Sequence, residues 1–191
     1  VAIDYREKAP KAAHRDMFLN REGNPDPKLS RHTRLAAGVP GTVRGLTLAL
    51  KRYGTIPLRR ALQPAIELAE TGFVVGEDLH HSLRAYAKDF RADPAARKIF
   101  LTPAGEPWPV GAQLVQKDLA RSLRLLAKHG PDAFYLGALA TAIAKDMKAH
   151  GGLITREDLA AYRPVERQPV TGRYRAWKVV SMPPPSSGGI H

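Results

Sequence analysis

Apolar residues recur at helical spacing through the middle of the chain. Over Leu58–Thr71 they keep a period close to 3.6 residues, and Gly72 follows as a left-handed stop. Comparable patterns predict helices over residues 42–52, with Thr42 as the cap, and over 77–90, 116–128 and 136–150. A short helix is also expected after Thr155, because Thr155 and Asp158 have the spacing of a capping box.

Alternating apolar and polar positions predict strands near both ends of the chain. Residues 1–5 (VAIDY) form one such run, which places Arg6 and Glu7 at its end. Residues 165–170 and 173–180 form two more, and Thr171-Gly172 between them indicates a hairpin. Residues 8–41 are expected to be irregular. The predicted fold class is therefore α+β and mostly helical, with residues 1–191 forming a single partial domain without an internal linker.

Composition excludes several kinds of chemistry. The 191 residues are 43% hydrophobic and include no cysteine, so disulfides, thiolate metal sites and cysteine nucleophiles are ruled out. No run approaches the roughly 20 apolar residues that cross a bilayer, so no membrane span is predicted. The first residues lack the features of a signal peptide, and we expect any targeting segment to be absent from this chain.

The chain is strongly basic, with 30 Lys and Arg against 18 Asp and Glu and a net charge of +12. The basic residues are spread in ones and twos from Arg6 to Lys178, with no run of five. Because nucleic-acid sites usually cluster their basic residues, this pattern favours a solvated surface and predicts no nucleic-acid partner. A non-catalytic basic binding module stays open as a distant alternative.

The histidines do not suggest a metal site. His80 and His81 are adjacent, so on a helix their side chains diverge by about 100°. No H-E-x-x-H motif occurs among the seven histidines. We therefore expect neither a metal nor another cofactor.

Two glycine- or serine-rich stretches resemble sites without meeting the requirements of one. Residues 38–42 (GVPGT) lack the Lys-Ser/Thr ending of a phosphate loop, which favours a structural turn whose glycines adopt unusual backbone angles. Ser186 and Ser187 lack a G-x-S-x-G elbow, and His191 is too close in sequence to serve as their base. We expect the prolines at 183–185 to stiffen the segment and one serine to cap a following helix.

Arg6 is the strongest candidate for a binding residue. A guanidinium group matches a carboxylate in a planar, bidentate way, so an arginine held at the end of a strand can bind an acidic substrate. The alternative is a structural ion pair with Asp4 or Glu7. The residue types alone do not separate these two interpretations.

Several stretches together resemble the large subunit of γ-glutamyltranspeptidases, in order and spacing. These stretches are 2–10 (AIDYREKAP), 16–19 (DMFL), 38–43 (GVPGTV), 63–65 (QPA), 151–155 (GGLIT), 158–162 (DLAAY) and 181–189 (SMPPPSSGG). The resemblance covers essentially the whole chain. It implies a fragment of an αββα sandwich of the N-terminal-nucleophile hydrolase type, made as a self-cleaving precursor and located in the periplasm or secreted.

The resemblance also implies a reaction. In this family the N-terminal Thr of the small subunit attacks the γ-glutamyl amide of glutathione or a relative, and water or an amino-acid or peptide acceptor resolves the acyl-enzyme. Arg6 matches the family's arginine that binds the donor α-carboxylate. The catalytic Thr and the other known site residues of the small subunit have no counterpart here, so we expect no catalytic residue in this chain and no activity from it alone. Related acylases, acting on cephalosporins or poly-γ-glutamate, share the scaffold and remain an alternative.

Overall fold

The computed structural model describes residues 1–189, so His191, considered above as a base, lies outside the described residues. Helices dominate, with short two-stranded sheets between them. The predicted class, α+β and mostly helical, is confirmed. The helices are α1 (Pro27–His32), α2 (Thr42–Tyr53), α3 (Leu58–Thr71), α4 (Glu77–Ala85), α5 (Ala87–Ala92), α6 (Pro94–Phe100), α7 (Lys117–His129), α8 (Asp132–Tyr135), α9 (Ala138–Ala149) and α10 (Arg156–Ala161).

The strands form three antiparallel pairs within the described part of the chain. In the first, β1 pairs with β4 in a register that sets Ile3 opposite Glu166. In the second, Phe73 lies opposite Leu114, and in the third, Gly172 lies opposite Val179. The strands are β1 (Ala2–Asp4), β2 (Phe73–Val74), β3 (Gln113–Leu114), β4 (Val165–Arg167), β5 (Val170–Tyr174) and β6 (Trp177–Ser181).

The chain divides into two compact units. The first, called unit 1 here, consists of Val1–Pro57 and His129–His191, and the second, unit 2, of Leu58–Lys128. The division reflects which parts of the backbone lie close together, and it does not test whether either unit folds by itself. The prediction that residues 1–191 form a single partial domain therefore stays a prediction.

Unit 1 has a core that combines aliphatic residues with two tyrosines. Tyr135 and Leu159 are completely buried at its centre. Side chains from α2 and α9 pack against this cluster. The buried members are Val39, Tyr135, Ala140, Ile154, Leu159 and Tyr162.

Unit 2 buries one stripe of its two longest helices, α3 and α7, and Leu114 of its short sheet. Helix α3 contributes Ile66 and Ala69, as its period predicts, and α7 contributes Ala120 and Leu126. Helix α3 covers the predicted range, and Gly72 ends it with φ +88°. The predicted boundaries are therefore best where the apolar period is longest.

Two predicted helices have different bounds in the structure. The helix expected over 77–90 breaks at Tyr86 into α4 and α5, and α5 ends before Asp93, whose carboxylate accepts from the N–H groups of Ala95 and Ala96 at the start of α6. The helix expected over 136–150 begins later, at α9, because Gly137 is extended after the short helix α8. The backbone conformations of Tyr86 and Gly137 therefore set these bounds, which the apolar period does not show.

The predicted hairpin is wrong in its strand partners. Strand β4 pairs with β1, and the hairpin is formed by β5 and β6, which turn at Arg175 with φ +53°. Pro169 explains the division, because proline has no N–H to donate and interrupts a strand. Thr42 is also not a cap, since Gly41 is the N-cap of α2 and Thr42 its first residue.

Candidate functional site

A cavity of about 530 Å³ lies in unit 1 where strand β1 ends. Three stretches of sequence line it: the end of β1, the glycine loop before α2, and the proline-serine segment after β6. It therefore brings together the three stretches that the sequence singled out. Its lining residues are Ile3, Asp4, Tyr5, Arg6, Glu7, Gly38, Pro40, Gly41, Thr42, Met182, Pro185 and Ser186.

The Arg6 side chain lies at the edge of this cavity and is 58% exposed. Its Nη2 is 3.7 Å from Oε1 of Glu7, a side chain that is equally exposed. Solvated pairs of this kind contribute little, typically well below 1 kcal/mol. Glu7 therefore does not hold the guanidinium firmly, and an incoming carboxylate can displace it.

Asp4 contacts the backbone of Arg6 and another arginine. Its Oδ1 accepts from the Arg6 backbone N–H at 3.1 Å, and its Oδ2 accepts from Nε of Arg167 at 2.8 Å. Burial raises the pKa of Asp4, but the hydrogen bonds from Arg6 and Arg167 outweigh it and leave the pKa below its ordinary value. Asp4 is thus a buried carboxylate that fixes β1, and its strong ionic partner is Arg167 rather than the Arg6 side chain.

Tyr162 holds the other side of the Arg6 backbone. Its buried hydroxyl donates to the Arg6 carbonyl oxygen at 2.8 Å. Burial, with smaller contributions from Tyr135, Asp4 and Glu7, raises the pKa of Tyr162 to about 12, so the hydroxyl remains a donor at physiological pH. The sequence did not reveal this role, since Tyr162 was only the last residue of a D-L-A-A-Y stretch.

A second tyrosine holds the glycine loop. Tyr135 stacks on Tyr162 with 5.8 Å between ring centroids, and its hydroxyl donates to the Pro40 carbonyl at 2.8 Å. The same hydroxyl accepts from the backbone N–H of Arg44, one of the first N–H groups of α2. The stacked pair therefore connects the end of β1 with the start of α2.

Arg44 closes this arrangement from the side. Its guanidinium lies 4.4 Å from the centre of the Tyr135 ring and donates to the carbonyl oxygens of Ala160 and Tyr162. Burial, together with repulsion from Arg163, lowers its pKa, while the nearby Asp132 opposes that shift. Arg44 is thereby a structural cation that joins α2 to the end of α10.

The glycines of the 38–42 loop are needed for close approach. A Cβ at Gly38 would lie 2.9 Å from Cγ of Glu7, and one at Gly41 would overlap the Tyr162 hydroxyl and the Tyr5 carbonyl oxygen. The expected unusual backbone angles are wrong here, since Gly41 has φ −108° and Gly38 has no positive φ. The loop is a structural turn, as predicted. Its glycines are needed because a side chain at Gly38 or Gly41 would clash with neighbouring atoms, and not because of their backbone angles.

The serine segment behaves as a turn. Ser186 Oγ accepts from the N–H of Gly188 at 3.3 Å, and Ser187 begins a 3-10 helix that runs to Gly189. Ser186 lines the cavity, although the contacts of its hydroxyl are those of a cap rather than of a nucleophile with its base.

Metal-ligating side chains do not converge within residues 1–189, where no group of three or more His, Asp or Glu side chains is placed to hold an ion. His80, for example, has Nδ1 2.8 Å from the carbonyl oxygen of Trp108. In the same range no helix is both long and apolar enough to cross a membrane.

Comparison with known proteins identifies the family. The model of the gamma-glutamyltranspeptidase family matches residues 1–191, and the chain belongs to this family. The chain is 52% identical over 191 residues to the glutathione hydrolase proenzyme of Escherichia coli (strain K12), covering 100% of this chain and 33% of that protein. It is 47% identical over 156 residues to the acylase ACY 1 proenzyme of Pseudomonas sp. (strain SE83), covering 82% of this chain and 28% of the acylase.

The fold agrees with this assignment. The crystal structure of Helicobacter pylori gamma-glutamyltranspeptidase matches with a TM-score of 0.95 and 45% identity, covering 98% of this chain and 54% of that one. The predicted resemblance and the predicted fold of the N-terminal-nucleophile hydrolase type are thereby confirmed. The chain spans about a third of the length of the curated relatives named above.

Proposed function

We propose that the protein to which this chain belongs is a γ-glutamyltransferase and glutathione hydrolase, and that this chain supplies the arginine that binds the donor. The donor is glutathione or a related γ-glutamyl amide. The catalytic Thr of the small subunit of the same precursor forms the γ-glutamyl acyl-enzyme. Water, an amino acid or a peptide then accepts the γ-glutamyl group.

The observation that carries the proposal is the state of Arg6. Its backbone is fixed on both sides by Asp4 and Tyr162, while its guanidinium reaches the cavity and makes an exposed contact with Glu7. A fixed backbone with an available planar cation is suited to a carboxylate that arrives with the substrate. The cavity volume of about 530 Å³ is also in the range of small-molecule sites.

We expect Arg6→Ala in the full-length enzyme to raise KM for a γ-glutamyl anilide about a hundredfold. A charge-assisted bidentate contact contributes about 1.5–3 kcal/mol, and about 1.4 kcal/mol corresponds to a factor of ten. Arg6→Lys should retain the charge and lose the planar geometry, so it should raise KM by an intermediate factor. Steady-state kinetics of both variants measure this.

Glu7→Gln provides the matched control. It removes the charge 3.7 Å from the same guanidinium, and we expect KM to change by less than about threefold, because an exposed pair is weak. An unchanged KM in Arg6→Ala would return Arg6 to a structural role.

An acylase activity is the second candidate function, and the 47% identity to the Pseudomonas acylase ACY 1 proenzyme favours testing it. The full-length enzyme should be assayed with a γ-glutamyl anilide and with a glutaryl anilide, which keeps the terminal carboxylate and lacks only the α-amino group. A γ-glutamyltransferase is expected to prefer the first by a large factor in kcat/KM, because a site built to bind the α-amino group leaves its polar groups unpaired with the second. A preference for the glutaryl substrate would favour the acylase.

A periplasmic or secreted location is part of the proposal and rests on the family resemblance. Cell fractionation of the organism that makes the protein, followed by immunodetection, tests it. Recovery of the mature enzyme in the cytoplasmic fraction would contradict it.

A further inference from the structure

We propose that Tyr162 is a positioning residue for Arg6, which sets the direction of its guanidinium by holding the Arg6 carbonyl. The inference rests on the proposed function, since it assigns Tyr162 to the same carboxylate-binding site. It concerns a residue about 150 positions away in the sequence, whose side chain does not line the cavity.

The two backbone groups of Arg6 are held from opposite directions. Its N–H donates to Asp4 Oδ1 at 3.1 Å and its carbonyl oxygen accepts from Tyr162 Oη at 2.8 Å. These bonds orient the peptide planes before and after the Arg6 Cα. Because the planes determine where the Cα–Cβ bond points, Arg6 is directed before a donor arrives, which lowers the ordering cost of binding.

Tyr162 is itself held in one place. Its ring stacks on Tyr135 at an interplanar angle of 14°, and Nζ of Lys8 lies 5.3 Å from the ring centroid. Its own carbonyl accepts from Arg44. A hydroxyl on a ring fixed in this way can hold a neighbouring chain segment more accurately than a surface side chain could.

The Arg6 backbone also has little other support on this side. Residues 5–7 lie beyond the β1–β4 ladder, which ends at Asp4 opposite Val165, and the next ladder contact is the Lys8–Val39 bridge. The Tyr162 bond falls between these two points. Without it, the carbonyl of Arg6 would be free to rotate and the direction of the side chain would vary.

The test uses Tyr162→Phe in the full-length processed enzyme, which removes one hydroxyl and retains the ring. We expect KM for a γ-glutamyl anilide to rise about tenfold, with kcat within about twofold of the parent, because donor binding is weakened and not the chemical step. The inhibition constant of glutamate should rise by the same factor. That of 4-aminobutyrate, which lacks the α-carboxylate, should stay within about twofold.

Two comparisons separate positioning from general destabilisation. In an Arg6→Ala background, Tyr162→Phe should cause no further rise in KM, because the two changes act through one contact. Ile143→Val removes one methyl group that packs against the same core and is the control. It should lower the melting temperature and leave KM unchanged.

An unchanged KM in Tyr162→Phe, an equal loss for both inhibitors, or a full additional loss in the Arg6→Ala background would overturn the inference. If Tyr162→Phe does not yield processed enzyme, Asp4→Ala, which removes the acceptor of the Arg6 N–H, tests the same idea from the N–H side, where a rise in KM supports it and an unchanged KM contradicts it. A parent enzyme with no γ-glutamyl turnover would refute the proposed function instead. Turnover that depends on Arg6 but not on Tyr162 would refute only this inference.

Discussion

Gly41 shows how one residue can determine the shape of the site. It carries no positive φ, yet a Cβ there would overlap both the Tyr162 hydroxyl and the Tyr5 carbonyl. The helix start and the end of β1 approach each other at this point. A side chain at position 41 would therefore separate the two segments that line the cavity.

We expect Gly41→Ala to lower the free energy of unfolding by about 3 kcal/mol, since overpacking against backbone is not relieved by rotamer changes. Gly172→Ala is the matched control, because nothing lies within 4 Å of its added Cβ and its φ is not positive. We expect a change within about 0.5 kcal/mol there. Denaturant unfolding of the full-length protein measures both, and equal losses would contradict the steric explanation.

The Asp4 carboxylate makes the stability of the fold depend on pH in the acidic range. Its folded-state pKa lies below the ordinary value, because the hydrogen bonds from Arg6 and Arg167 outweigh the effect of burial. A carboxyl group with a lowered pKa stabilises the fold above its unfolded pKa, near 4, and loses that contribution as the pH falls through the lower, folded pKa. The relevant window therefore lies below about pH 4.

We expect the difference in unfolding free energy between the parent and Asp4→Asn to be largest at neutral pH and to shrink below about pH 4. Thermal unfolding measured from pH 7 to pH 3 follows it. Asp16→Asn, which removes an exposed carboxylate paired with its neighbour Arg15, is the control and should be nearly neutral throughout. A difference that grows towards low pH would contradict the assigned sign.

At the scale of elements, α10 connects the site to the rest of unit 1. Thr155 caps the helix reciprocally with Asp158, and Oδ1 of Asp158 also accepts from the backbone N–H of Lys11. The helix ends immediately before Tyr162. The capping box thus fixes both the start of the helix and a segment that follows β1.

We expect Thr155→Ala to cost about 1 kcal/mol in unfolding free energy, the usual value for an N-cap. Thr155→Ser retains the hydroxyl and should cost a few tenths of a kcal/mol at most. Urea unfolding of both variants measures the difference. If both lose stability equally, the methyl group of Thr155 rather than its hydrogen bond is responsible.

Elements with a strong local signal were predicted well, and those decided by distant partners were not. The α3 boundaries and the Thr155 capping box follow from local periodicity and side-chain capping. The partner of β4 does not, because antiparallel pairing of β1 with β4 joins residues more than 150 positions apart. Alternating apolar and polar residues predict a strand, but they do not show which other strand it pairs with.

At the scale of the whole molecule, the candidate site lies in unit 1 alone. The described residues that line the cavity come from the first 42 residues and from the segment 182–186. Tyr162 and Tyr135 hold the end of β1 and the glycine loop through the carbonyl oxygens of Arg6 and Pro40. The site is therefore made by long-range packing rather than by a continuous motif.

The sequence by itself determined the helical content, the boundaries of the longest helix, the family and the choice of Arg6 as a candidate. These depend on local periodicity, capping chemistry and an ordered set of short motifs, all of which can be recognised from the order of residues along the chain. Whether Arg6 binds substrate stays a prediction. Only the tertiary structure showed that Asp4 pairs with Arg167, that Gly41 is required for close approach, and that Tyr162 holds the Arg6 carbonyl. These contacts join residues far apart in the chain, and their distances follow from packing, which spacing along the sequence does not encode.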